Sequence, residues 1–254
     1  MKNLFDVTDR VILITGSSRG LGFAFASGFS EVGARVIING TRSETVDPAV
    51  ARIRQGGGFA AGYPFDVTDV DQVERGVARI EREVGPIEVL INNAGIQRRA
   101  PLETQTLADW NAVLQVNLNA VFIVSQCVAK GMIERRRGVI VNITSLNAEG
   151  ARPTIAPYCA AKGGLTMLTK SMATEWGKYN IRANAIAPGY FITDLTKPLA
   201  ENPEFDAWVK GNVPLGRWGD PSELIGAAIF LASDASSYIT GRTITIDGGW
   251  RASL

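Results

Sequence analysis

Tyr158 and Lys162 stand four residues apart, a spacing that puts both side chains on one face of a helix. An ammonium beside a phenol lowers its pKa from about 10, which makes tyrosine a usable acid and base near neutral pH. With five tyrosines in the chain, the pair alone carries little weight. Ser145 adds to it, because it follows the apolar run Val139 to Ile143, which reads as a strand. At a strand end its hydroxyl can polarise a substrate carbonyl. The chain has no histidine, so Ser-His-Asp, Cys-His and His-metal mechanisms are excluded, and proton transfer falls to Tyr, Lys, Asp, Glu or Cys. Cys127 and Cys159 are far apart and outside any C-x-x-C pattern, and they read as small core thiols.

A second group of residues could hold a nucleotide. Thr15-Gly16-Ser17-Ser18-Arg19-Gly20-Leu21-Gly22 joins an apolar run to a helical one. Glycines there allow a tight turn and close approach to a pyrophosphate, and the helix N-terminus offers free N–H groups. No Gly-Lys-Ser/Thr follows, which disfavours a P-loop. The next strand ends in Ile38-Asn39-Gly40-Thr41-Arg42, without the acid that would bind an adenosine ribose 2′-hydroxyl. Arg19 and Arg42 are placed to meet a 2′-phosphate, so NADP(H) is favoured and NAD(H) stays open; the plainer reading is two solvated arginines. Asp66-Val67 either meets an adenine edge or caps the next helix through Asp66. Asn92-Asn93-Ala94-Gly95 is either a bare turn or small residues leaving room for a cofactor.

The elements that must position these residues follow from periodicity. Strands are expected at Val11 to Thr15, Arg35 to Asn39, Phe59 to Phe65, Ile87 to Ile91, Val139 to Ile143, Arg182 to Ile186 and Thr243 to Ile246. Helices are expected at Leu21 to Val32, Ser43 to Gln55, Asp69 to Val84, Leu107 to Glu134, Thr154 to Lys178 and Pro221 to Ala232. Near-continuous apolar strands, each followed by a helix, predict an α/β fold. It is a single Rossmann-type domain over residues 1–254, a doubly wound parallel sheet of about seven strands with helices on both faces. Gly189 to Trp218 interrupts the alternation with Pro198, Pro203 and Pro214 and reads as a substrate lid at a strand end, or else as a surface excursion. A net charge of +1 gives no case for nucleic acid or a membrane surface. The start has no signal-peptide pattern and no stretch approaches about 18 uninterrupted apolar residues, so a cytoplasmic protein is expected. The long helices carry apolar residues on more than one face, which predicts self-association.

Taken together, TGSSRGLG, NNAG at 92–95, Asn117, Ser145, YxxxK at 158–162 and Pro188-Gly189 resemble the classical short-chain dehydrogenase/reductases over essentially the whole chain. The resemblance implies that Tyr158 moves the proton of the reacting oxygen, Ser145 orients it, Lys162 binds the nicotinamide ribose, and Asn117 supports a water in a proton relay. It implies a cofactor site of Gly16, Ser18, Arg19, Gly20, Leu21, Gly22, Thr41, Arg42, Asp66, Val67, Asn93, Ala94, Gly95, Tyr158, Lys162, Pro188, Gly189, Phe191 and Thr193, with no metal required. It also implies a homotetramer, with Gly248 to Leu254 near an interface.

Within that family, NNAGIQRR, PGYFITDLTKPL and RWGDPSELIGAA are similar to the gluconate 5-dehydrogenase branch. That likeness implies interconversion of D-gluconate and 5-keto-D-gluconate, or of a related sugar acid. Relatives there can carry an acid where this chain has Gly40. A polyhydroxy-acid needs a cation for its carboxylate. Arg98, Arg99 and Arg152 could supply it, with Arg98 or Arg152 preferred. Asn147, Glu149 and Tyr190 are candidates for its hydroxyls, and Tyr190, Phe191, Phe205, Trp208 and Trp218 form an aromatic lid. Two other readings stay open: a 3-oxoacyl-thioester reductase of the same fold, and a non-catalytic nucleotide-binding protein.

Overall fold

In this computed structural model the described residues are 3–193 and 196–253; Asp194 and Leu195, inside the expected lid, lie outside them. Seven parallel strands form one sheet in the order β3-β2-β1-β4-β5-β6-β7. They run over Val11–Ile14 (β1), Arg35–Ile38 (β2), Ala60–Gly62 (β3), Val89–Asn92 (β4), Gly138–Ile143 (β5), Ile181–Pro188 (β6) and Thr243–Ile246 (β7). The order reverses between β1 and β4, the place where open parallel sheets bind ligands.

Side chains alternate between the faces, as the two-residue period of a strand requires. Ile12, Ile14, Val36, Ile38, Val89 and Ile91 enter one core with α1 (Gly20–Glu31), α2 (Ser43–Gln55) and α9 (Ile225–Ala232). Leu13, Ile37 and Leu90 enter the other, with α3 (Val70–Glu83), α5 (Ala120–Arg135) and α6 (Ala156–Trp176). Both cores are closely filled, so truncating Ile12 or Leu90 to Ala costs about 2–5 kcal/mol.

The sequence places the helix from Leu107 to Glu134 as one unbroken element. The chain instead runs as α4 (Leu107–Leu114), a widened π turn over Gln115–Asn119, and α5. Such turns shift a carbonyl out of the regular ladder and recur at functional sites. By length and composition, Leu107–Arg135 would suit a membrane span. Here Val113, Asn117, Val121, Val124, Val128 and Met132 are buried in the domain, as in a core helix.

Two short helices, α7 (Lys197–Ala200) and α8 (Pro203–Asn212), occupy the lid region. Asn202 caps α8 by accepting from Phe205 N at 3.0 Å, and Pro203 starts it where no amide hydrogen is needed.

Candidate active site

β5 and α6 bring the reacting groups together at the carboxyl edge of the sheet. Ser145 lies two residues beyond β5 and caps the turn Leu146–Ala148, its Oγ accepting from Asn147 N at 3.1 Å. Tyr158 and Lys162 project from the first turns of α6. Lys162 is buried and its Nζ donates to the Ile143 carbonyl at 2.6 Å. Burial lowers its pKa to about 8.

The phenol differs from the sequence expectation. Burial raises the Tyr158 pKa, and the groups opposing this are the Ser145 hydroxyl and the Arg99 charge. Lys162 is not among the groups that lower it; its ammonium donates to Ile143 and stands 5.7 Å from the ring centroid.

Asn117 sits in the π turn with its amide bonded at both ends: Oδ1 accepts from Ile96 N at 3.1 Å and Nδ2 donates to Ile96 O at 2.8 Å. A Cβ on Gly95 would lie 2.6 Å from that Oδ1, so only glycine fits beside it.

The switch point between β1 and β4 forms a cradle. Gly16 takes a positive φ of 61°, and a Cβ there would come within 2.9 Å of Ala94 Cα. A Cβ on Gly22 would lie 2.4 Å from the Gly16 carbonyl. The N-terminus of α1 has no side-chain cap and no acid in its first turn, so its amides stay available to a diphosphate. Arg19 and Arg42 are exposed, and among the described residues neither forms an ion pair. Gly40 places no carboxylate against them, and Thr41 is exposed alongside. These features fit NADP(H): the free amides its diphosphate, the two arginines its 2′-phosphate.

The remaining cofactor candidates are tied into this cradle. Asn93 Nδ2 donates to the Thr15 and Gly16 carbonyls at 3.0 Å, and Thr15 Oγ1 accepts from Asn93 N and Ala94 N. Asp66 Oδ1 accepts from the Thr68 amide and hydroxyl, while Asp69 caps α3, so the cap lies three residues beyond the expected one. Val67 is buried beside it. Pro188 ends β6, and Gly189 donates to Ile246 O at 2.8 Å, packed so closely that a Cβ would meet Asp247 Cα at 2.6 Å. The Thr193 hydroxyl is bonded to that of Thr196 at 3.0 Å.

An aromatic box surrounds Tyr190. Tyr190 packs against Phe205, Trp208, Trp218 and Trp250 at centroid distances of 6.0, 6.0, 5.6 and 5.1 Å. Phe191 does not join it and turns into the core beneath the sheet. Arg152 donates from Nη1 to the Tyr190 hydroxyl at 2.5 Å, and its guanidinium stacks 4.4 Å from Trp208 and 5.0 Å from Phe205.

Of the adjacent arginines, Arg98 points outward, 3.7 Å from Asp109. Arg99 is exposed; loss of water, then the Arg152 charge, lower its pKa, while Tyr190 and Tyr158 oppose. The Ala100 amide donates to the Thr154 carbonyl at 3.1 Å, which joins the loops bearing Arg99 and Arg152. Asn147 Oδ1 is buried without a partner. Glu149 pairs with Arg251 at 2.9 Å.

Trp250 and Arg251 belong to this assembly but were not singled out as site residues from the sequence. Arg251 also reaches the Leu146 carbonyl at 3.4 Å, and its amide donates to Asp247. Nothing local in the sequence signals contacts over such separations.

The family described as enoyl-(acyl carrier protein) reductase matches residues 16–251. The chain belongs to the short-chain dehydrogenase/reductase family. Within the family it is 50% identical to the gluconate 5-dehydrogenase of Gluconobacter oxydans over 252 residues, covering 99% of this chain and 98% of the relative. It is 47% identical to the 5-keto-D-gluconate 5-reductase of Escherichia coli over 249 residues, 98% of each chain. A crystal structure of a gluconate 5-dehydrogenase from Burkholderia cenocepacia in complex with NADP and tartrate superposes with a TM-score of 0.96 at 47% identity, covering 99% of this chain and 98% of that one.

Proposed function

We propose that this chain is an NADP(H)-dependent oxidoreductase that interconverts D-gluconate and 5-keto-D-gluconate. The observation that carries the reading is the pair Arg99 and Arg152, two cations with no carboxylate partner among the described residues, set beside Ser145, Tyr158 and Lys162. Cations without a carboxylate partner call for an anion, and a guanidinium fork matches a carboxylate. Arg99 therefore replaces Arg98 as the carboxylate ligand, and Asn147 Oδ1 is an acceptor for a sugar hydroxyl. An acyl thioester would leave both charges unanswered.

NADP(H) supplies or accepts the hydride. In the reducing direction Tyr158 gives its phenolic proton to the forming alkoxide, and in the oxidising direction its phenolate takes the hydroxyl proton. Ser145 holds the same oxygen by hydrogen bonding. Lys162, with a pKa near 8, keeps a positive charge near the tyrosine at neutral pH, where its ammonium can bind the nicotinamide ribose. Asn117, its amide taken up by Ile96, holds the loop at 94–96 in place, so any water relay runs through the backbone of the π turn.

The test is reduction of 5-keto-D-gluconate with NADPH and NADH in parallel, with an acetoacetyl thioester as control. Turnover of the keto-acid, faster with NADPH, supports the reading; turnover of the thioester alone overturns the substrate. Leu107, Phe122 and Met167 are large apolar residues exposed on α4, α5 and α6. We assign this face to self-association as a homotetramer in the cytoplasm; light scattering that gives a monomer overturns the assembly.

A further inference from the structure

The box around Tyr190 holds a cation. Arg152 stands 4.4 Å from the Trp208 ring centroid and 5.0 Å from that of Phe205, and its Nη1 donates to the Tyr190 hydroxyl at 2.5 Å. Buried Trp250 backs both Tyr190 and Trp208, at 5.1 and 4.9 Å. A free arginine side chain samples many rotamers, and these contacts remove most of that freedom. Stacking uses the face of the planar guanidinium, so its edge keeps N–H groups beyond the one given to Tyr190. Among the described residues no carboxylate pairs with Arg152: Glu149 is taken by Arg251, and Asp206 by Lys210 and Trp218 Nε1.

Contacts tie the box to the turn that carries Ser145. Ser145 and Tyr190 each stand two residues beyond the ends of β5 and β6, which pair side by side with Ile143 opposite Ile186. Arg251, next to Trp250, reaches the Leu146 carbonyl at 3.4 Å, directly after Ser145. Arg152 itself lies on the stretch that runs from the Ser145 turn into α6 and Tyr158. That stretch is held in a costly shape: Thr154 takes a φ of 69°, rare for a β-branched residue, and its carbonyl accepts from Ala100 N at 3.1 Å. A stacked and unpaired guanidinium on such a stretch is preorganised for an anion.

From this arrangement we infer that Arg152 and Tyr190 together hold the substrate carboxylate, and that Trp208 is a positioning residue that makes the site prefer a sugar acid to the matching neutral polyol. The inference rests on the sugar-acid reading above, in which Arg152 meets the carboxylate, and adds the residues that hold it ready and the selectivity they confer. The Tyr190 oxygen accepts from Arg152, so its own proton stays free to donate. Two adjacent donors, one of them charged, then serve one carboxylate. Trp208 belongs to α8, so the lid helix acts on the choice of substrate through Arg152.

The experiment compares kcat and KM for D-gluconate and for D-glucitol, in which a hydroxymethyl group replaces the carboxylate, by following NADPH formation. The variants are Arg152→Met, Tyr190→Phe, Trp208→Leu and Trp208→Phe. Methionine packs on the rings without a charge, and leucine fills the place of Trp208 without a π face. Arg152→Met is expected to lower the ratio of gluconate to glucitol kcat/KM by about 10- to 100-fold, the size of one charge-assisted hydrogen bond, mostly through the gluconate KM. Tyr190→Phe and Trp208→Leu lower it by about 3- to 10-fold, and Trp208→Phe restores most of the loss. Where glucitol turnover is below detection, the rise in gluconate KM against kcat is the readout.

Equal losses on both substrates, or a fall in kcat at an unchanged KM, mean that the box only supports the fold, and the inference fails while gluconate turnover leaves the sugar-acid reading standing. A gluconate KM in Arg152→Met equal to that of the wild type has the same meaning. Preference of the wild type for glucitol overturns both. Should Arg152→Met not fold, Arg152→Lys keeps the charge but loses the stacked planar fork, and the same fall in the ratio is expected.

Discussion

The Lys162 ammonium donates to the Ile143 carbonyl at 2.6 Å, so the last residue of β5 is tied to the second turn of α6, one turn on from Tyr158. A lysine with a pKa lowered to about 8 penalises the folded state below that pH. The unfolded chain holds the proton up to about pH 10.4, so it binds more protons than the native state in between and stability rises with pH across that window. Relative to Lys162→Met, the cofactor-free wild type gains up to about 3 kcal/mol between those limits. Melting curves at several pH values check this, and a difference that stays flat with pH refutes it. The loss of the Ile143 bond is common to every pH and leaves the slope untouched.

Tyr158→Phe keeps the ring packed on α6 and removes the proton donor. Turnover falls by about 100- to 10,000-fold, the usual worth of a positioned acid. NADPH affinity, read by fluorescence titration, stays within a few-fold. Retained turnover removes Tyr158 from the reaction.

The proposed preference for NADP(H) rests on two surface arginines and one glycine. Arg19→Ala and Arg42→Ala raise the KM for NADPH by about 10-fold each while that for NADH changes little, since each removes one charged contact to phosphate. Gly40→Asp adds a carboxylate in the same place and shifts the ratio of NADPH to NADH efficiency further. Its Cβ meets Val46 Cγ2 at 3.1 Å, which a small shift of that side chain accommodates. Equal effects on both cofactors would place the arginines elsewhere than the 2′-phosphate.

Arg251 ties Glu149 and the Leu146 carbonyl, and thereby the loop that follows Ser145, to the segment carrying Trp250. Arg251→Ala is expected to raise the KM for the sugar acid several-fold with a small change in kcat, and Arg251→Lys to restore part of it. The pair is partly exposed, so its loss lowers stability by less than about 1 kcal/mol. An unchanged KM removes the tether from substrate binding.

Arg182 donates to the Leu231 and Ser233 carbonyls and to Ser236 Oγ, and so satisfies the end of α9 from within the core. Arg182→Met orphans these acceptors and costs about 3 kcal/mol, or roughly 6–12 °C in Tm for a chain of this size. A melting point within about 2 °C of wild type contradicts that role.

Much of the site could be read from the chain because its chemistry is local. Tyr158 and Lys162 share one helix face, and the turn from Gly16 to Gly22 needs its glycines for contacts within a few residues or to the adjoining strand. The strand pattern fixed the sheet for the same reason: Val11 to Ile14 and Thr243 to Ile246 lie where their apolar runs lie. What escaped depends on partners far along the chain. The orientation of Arg98 and Arg99 depends on the path of an irregular loop, for which no period exists. The π turn at Asn117 interrupts a helix whose apolar pattern continues through it. The high pKa of Tyr158 reflects burial, which a spacing of four residues does not report.

Asn39 stands one residue before Gly40, the position proposed to discriminate the cofactors. Its Oδ1 accepts from Gly16 N, its Nδ2 donates to the Tyr63 and Phe65 carbonyls, and its backbone exchanges bonds with Ser17. One amide thus braces the glycine turn against the end of β3. For anyone redesigning the enzyme toward another coenzyme, the boundary between tunable and untouchable falls between neighbouring residues: 40 to 42 can be rewritten, whereas a change at 39 would loosen the diphosphate cradle for every nucleotide alike.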